Sequence, residues 1–234
     1  LGTTASFKRA ISAIKDGKPF ALGALDEYLT IFSANLEKFR ITEKKGEFDD
    51  QVVENIEQFI PYRNETISIF VTIAQYAPIE ENILKLHRFL EGLIPYMKRP
   101  ENVSRWSEWD FDNFKFIVHE LYLYLVAIFL KFERFSELDV LLSQQFYSPG
   151  QSDYGKDAMV SYDVFQNHLR SFEHRNSRLK LNRLSLHADV LEQRIERTFR
   201  EELRDRRIHR AGVVDLGVGQ ALRAVLGRVR GVVV

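Results

Sequence analysis

The sequence predicts an all-α protein: a multi-helix bundle or stack of helical hairpins with about eight helices and an irregular C-terminal tail. Three observations carry that expectation. Apolar residues recur at spacings of three and four over most of the chain, the period of one helix face. Neither strand alternation nor a fixed-period repeat competes with that pattern. Apolar residues make up 45% of the 234 positions, and 18 Phe supply side chains for a large core.

The elements follow in order. From Phe20 to Phe39 one stripe runs through Leu22, Leu25, Leu29, Phe32 and Leu36. Asp49 can cap a second helix whose inner face is Val52, Val53, Ile56, Phe59 and Ile60. Pro61 ends that helix or opens the next one, through Ile67, Phe70, Val71 and Ala74, because a first turn tolerates proline. After Pro78 the pattern resumes with Ile83, Leu86, Phe89, Leu90 and Leu93, and Pro95 stops it. Residues 99–110 read as a connector holding both tryptophans, Trp106 and Trp109. Asp110 or Asp112 can cap the most apolar helix, which reaches about Phe132 and suits the centre of a bundle. Leu138, Leu141 and Leu142 mark a helix over Ser136–Phe146, followed by a Gly/Pro/Ser/Asp-rich loop over 147–158. A short helix from Asp163 to Phe172 and a long one from Arg178 to Leu203 complete the expectation.

Residues 1–200 read as a single helical domain and 201–234 as a tail of foreign composition. The last Lys is Lys180, the last Asn is Asn182 and the last Tyr is Tyr162, whereas Arg continues to Arg230. From Ala211 the chain is almost wholly Gly, Val, Ala, Leu and Arg, ending Gly231, Val232, Val233, Val234. Such a change inside one chain reads either as a frame slip or artificial join, or as a natural basic tail. Leu1 in place of Met reads as a fragment or processed piece of something longer.

Charge and composition exclude several function classes. Thirty-three Lys and Arg balance 33 Asp and Glu, which argues against an obligate nucleic-acid coat or an electrostatic membrane binder outside local patches. With no Cys there is neither a disulfide framework nor a thiolate zinc site, in keeping with a reducing cytosol. No signal-peptide core follows the basic residues near the N-terminus, and the longest apolar run, Leu121 to Leu130, is short of the ~20 residues a membrane helix needs. A cytoplasmic protein without a membrane partner, cofactor or metal is expected.

The sequence offers few motifs. His119 and Glu120 begin a zinc-protease pattern that fails at Leu123, where the second His should stand. Gly217 and Gly219 lack the third glycine of a dinucleotide fingerprint, having Leu222 instead. Neither a P-loop nor a nucleophile elbow occurs. His119 and Glu120 thus read as members of a helix-packing network, or as the lining of a pocket for a nucleotide-like signal. Trp106 and Trp109 either anchor a partner or pack beneath their connector. The richest stretch holds Arg170, His174, Arg175, Asn176, Arg178, Lys180, Arg183, His187 and Arg194.

That stretch resembles the Arg–polar–His arrangement of HEPN-class helical ribonucleases. In them His moves protons and Arg stabilises phosphate charge. The resemblance implies metal-independent RNA cleavage by a dimer, using Arg183 and His187, or Arg175 and Asn176 with His187. Arg183 and His187 are four apart and would share a helix face, with three residues between them where the family has four to six. The competing reading is a solvated basic face paired with Glu173, Asp189 and Glu192.

A second resemblance spans about residues 20–195. The runs Phe59–Glu65, Asp110–Phe116, Lys131–Phe135 and Arg183–Asp189 look like the helical region of unknown function that follows effector domains, TIR-like ones included, in some bacterial conflict and defence proteins. It implies that an enzyme domain lies N-terminal to this chain and that these helices sense, scaffold or self-associate. A non-enzymatic interaction, sensor or assembly module is therefore the leading expectation, with a protein partner or self-association, and the ribonuclease the alternative.

Overall fold

The computed structural model describes residues 2–43, 45–100, 105–149 and 158–208. Nine α-helices stand among them: α1 (Thr4–Lys15), α2 (Ala21–Leu36), α3 (Phe48–Gln58), α4 (Ile60–Tyr76), α5 (Glu80–Leu93), α6 (Asp112–Lys131), α7 (Phe135–Ser143), α8 (Arg170–Arg178) and α9 (Leu186–Ile208). Short 3-10 turns join several of them. Two-residue strands β1 (Phe146–Tyr147) and β2 (Met159–Val160) pair antiparallel, Phe146 opposite Val160 and Tyr147 opposite Met159. The class is all-α.

Local chemistry explains where the elements differ from expectation. Helix α1 was not among the expected elements, although Phe7, Ala10, Ile11 and Ile14 recur at helical spacing and face the core together with Ala13. It ends where Gly17 takes φ +60°, and the Lys18 N–H reaches back to the Ala13 carbonyl at 2.9 Å. At Pro61 both readings hold: α3 stops at Gln58, one residue intervenes, and Pro61 sits in the first turn of α4. The helix expected over Asp163–Phe172 is instead a 3-10 turn, Tyr162–Phe165, with α8 starting only at Arg170. The long helix starts at Leu186 rather than Arg178, and it runs past position 200 to Ile208. Most of the 147–158 loop, and the tail from 209 to 234, lie outside the described residues.

Helix α6 is the centre of the bundle, with 16 of its 20 residues buried. Among the described residues Trp109–Lys131 is the one helical stretch long and apolar enough to cross a membrane, and 83% of its most apolar window is buried inside the fold. Its composition is that of a helix surrounded by neighbours. Beside it Phe32 meets Phe89 and Phe59 edge-on, with ring centres 5.2 and 5.9 Å apart.

Contacts at both ends of the helices fix their directions. Thr4 bonds Glu65 while Lys15 lies over the Tyr76 ring, so α1 and α4 run together. Arg63 meets Glu120 while Arg134 bonds the Ala74 carbonyl, so α6 runs with α4. His187 packs on Phe116 and Thr198 approaches Tyr124, so α9 runs with α6. One end of the bundle therefore gathers the ends of α1, α4 and α6 with the starts of α2, α5 and α7.

Candidate functional site

Three helices bring charge into the core at one place. Glu120, in the middle of α6, accepts from Arg63 Nη1 at 3.0 Å and Arg194 Nε at 2.8 Å on Oε1, and from Arg194 Nη2 at 3.0 Å on Oε2. All three side chains are at least 96% buried. Each sits where its helix turns inward: Arg63 continues the α4 stripe of Ile67 and Phe70, and Arg194 lies beside Leu191 and Ile195 on α9. A charge in such a stripe requires an opposite partner and a full set of hydrogen bonds.

The set is nearly complete. Arg63 Nη2 donates to Thr198 Oγ1 at 2.7 Å, and its Nη2 and Nε share Asn64 Oδ1 at 2.9 and 3.1 Å. Arg194 Nη1 donates to Glu57 Oε1 at 2.7 Å, which carries the network to the half-exposed Glu57 carboxylate. Two carboxylates thus match two guanidinium groups. Burial would raise the Glu120 pKa, but Arg194 and Arg63 outweigh it and hold the carboxyl below its ordinary value. Glu120 is charged, and against the lowering effect of burial Glu120 and Glu57 in turn hold the Arg194 guanidinium above its ordinary pKa.

One residue earlier on α6 the pattern inverts. His119 is 6% exposed, and neither ring nitrogen has a hydrogen-bond partner among the described residues. The His187 ring stands 5.1 Å away at 71°, with its Nε2 likewise unpartnered, and the stacked rings of Phe116 and Phe172 complete the surroundings. Burial pushes the His119 pKa down to about 4. Burial, with His119 and His168 adding to it, pushes that of His187 down to about 3. Both rings are neutral at neutral pH.

The side chains of Arg175, Asn176 and Arg183 have partners other than His187. Arg175 pairs with Asp50, and Arg178 with Asp49 and Asp50 at 2.7 and 2.8 Å, so this part of the basic cluster clamps α8 to the first turn of α3. Asn176 bonds the main chain of Arg183 in both directions, Nδ2 to the carbonyl at 2.8 Å and Oδ1 from the N–H at 3.0 Å. The Arg183 side chain is 61% exposed and faces Asp189 at 3.7 Å, whereas His187 turns into the apolar pocket. Arg183 thus faces Asp189 while His187 packs on Phe116, His119 and Phe172. The acidic partners foreseen for this face were Glu173, Asp189 and Glu192; Asp49 and Asp50 take the larger part.

The connector divides in the same way. Trp109 packs against His174 of α8 at 5.4 Å, while Trp106 remains 44% exposed beside Phe111 and Arg99. Ser107 and Asp110 form a capping box there, which fixes the chain just before α6.

Sequence reasoning singled out His119 and Glu120 but missed Arg63, Arg194 and Thr198 as partners. The available signal was one acidic and two basic residues lying in three separate apolar stripes. It also missed Lys98, whose amine donates to Ser148 Oγ and whose pKa is lowered by burial. A lysine beside a serine is a nucleophile-and-base pattern, but the Ser148 side chain is entirely buried, so the bond fastens the segment after α5 to β1. No group of three or more His, Asp or Glu among the described residues is placed to hold a metal ion.

Comparison with protein-family models, with curated proteins and with solved structures finds no match. The function has to be argued from the geometry.

Proposed function

We propose that this chain is a non-enzymatic helical interaction and assembly module, cytoplasmic, and the helical part of a larger bacterial defence-type protein whose effector domain lies N-terminal to it. The defence-type and effector parts rest on the resemblance of the helical runs, and one observation carries the assembly part. Phe20, Leu22, Tyr76, Ile79 and Phe135, from three separate segments of the chain, are 37–60% exposed, and all belong to the end of the bundle where α4 and α6 finish. Burying a large apolar side chain fully contributes about 1.5–3 kcal/mol, so five at one end are a standing drive toward contact.

The charges around them favour a second copy of the chain. Lys15, Lys18 and Arg134 stand with Asp16, Glu80 and Glu81, and a surface with both signs can complement itself across a two-fold axis. The Arg63–Glu120–Arg194 network supports the same reading by joining three helices inside the bundle.

Sedimentation equilibrium over a concentration series tests the proposal. Self-association is expected for the native chain, and a monomer for the Ile79→Asp, Phe135→Asp double variant at unchanged helix content. A chain that stays monomeric throughout, or a variant that associates as the native one does, refutes it.

A further inference from the structure

A different surface, at the end where α6 and α9 begin, goes beyond that reading. The turn between α8 and α9 is Leu179, Lys180, Leu181, Asn182, Arg183, Leu184, Ser185. Leu184 is 98% exposed, and Leu179 and Leu181 are exposed by about two fifths. No other large apolar residue among those described stands so far out into water.

Main-chain and side-chain hydrogen bonds close the turn on both sides. Helix α8 closes with the Lys180 N–H on the Ser177 carbonyl at 3.2 Å and the Leu181 N–H on the Asn176 carbonyl at 3.0 Å, with Lys180 left-handed at φ 52°. Asn182, also at φ 52°, turns the chain again, and the two bonds from the Asn176 side chain to the Arg183 main chain lock the far side. The leucines are held outward before any partner arrives, so little ordering is needed on binding.

Charge selects the partner. No acidic residue occurs between Glu173 and Asp189. Arg175 and Arg178 are neutralised by Asp49 and Asp50, which leaves Lys180 and Arg183 as exposed cations interleaved with the leucines. Arg183 only touches Asp189 at 3.7 Å. A convex turn with leucines at its tip and cations on its flanks suits a surface that is anionic outside and apolar just beneath.

We propose that the 179–184 turn inserts into the headgroup region of an anionic lipid bilayer, with Leu184 leading and Lys180 and Arg183 meeting the lipid phosphates. This is a local patch acting against a chain of zero net charge. It combines the two weak signals, apolar and basic, that reversible membrane attachment needs.

Vesicle flotation with the full chain tests it, using phosphatidylcholine alone and phosphatidylcholine mixed with phosphatidylglycerol. The native chain should float with the mixed vesicles and not with the neutral ones. Leu184→Asp should lower the partition coefficient roughly tenfold or more, and Lys180→Ser with Arg183→Ser should do likewise; neither exposed substitution should change helix content or thermal midpoint. A native chain that stays unbound to the mixed vesicles overturns the proposal. Binding that survives Leu184→Asp overturns it too, since only general electrostatic adsorption would then be at work. The Ile79→Asp, Phe135→Asp variant should still float, so failure here and failure of the assembly reading are separable.

Discussion

Glu120 and His119 are neighbours on one helix and equally buried, yet they meet the interior in opposite ways. Glu120 keeps its charge because two guanidinium groups enclose it and every oxygen has a donor. His119 gives up its charge and faces a second neutral imidazole, which itself packs on two phenyl rings. The difference shows what buried polarity does in this fold. At Glu120 it fastens α4, α6 and α9 to one another; at His119 it is a cost that surrounding packing absorbs.

The contrast predicts effects of opposite sign. The largest belongs to Glu120→Gln, which leaves two buried guanidinium groups short of an anion and should lower unfolding stability by about 3–5 kcal/mol in chemical denaturation. A loss under 1 kcal/mol would mean that water reaches the network.

The next effect is in pH. Both histidines have folded pKa values depressed below the ordinary value near 6.5, so the unfolded chain binds more protons between that value and about 4 or 3. Stability from their neutral state is fully present above pH ~6.5 and is lost as pH falls, by up to roughly 1.4 kcal/mol per pH unit for each proton taken up. Glu120, also depressed but a carboxyl, contributes stability that is present above its ordinary value of 4.5 and lost only below it. Denaturation midpoints measured from pH 7 to 5 should therefore fall in the native chain and flatten in a His119→Leu, His187→Leu double variant. An unchanged slope in that variant would contradict the assignment.

At neutral pH the single change His119→Leu removes an unmatched buried N–H and should raise stability by about 1 kcal/mol. Clear destabilisation would show that the ring has a partner after all. The smallest effect belongs to Thr198→Val, which removes the acceptor for Arg63 Nη2 at the edge of the network and should cost about 0.5–1.5 kcal/mol.

How much of this was legible beforehand depends on how local each feature is. The class, the central helix and the break at Pro61 follow from the spacing of apolar residues and from the missing proline N–H. The Glu120 network does not, because Arg63 lies 57 residues before it and Arg194 lies 74 after. One sequence shows that three charges occupy apolar stripes, but not that the stripes converge. The ribonuclease expectation rested on Arg183 and His187 sharing a helical turn. Left-handed Lys180 and Asn182 stop α8, and α9 begins only at Leu186, so Arg183 stands outside both helices. Lys and Asn at such positions give a weaker signal than glycine would.

The claim that buried charge here serves to fasten helices is tested most directly by hydrogen exchange on Arg194→Met. Glu120 keeps Arg63 in this variant, so the bundle of α4 and α6 should stay protected. Amides of α9 from Leu186 to Thr198 should exchange markedly faster than in the native chain. Unchanged protection along α9 would contradict the account.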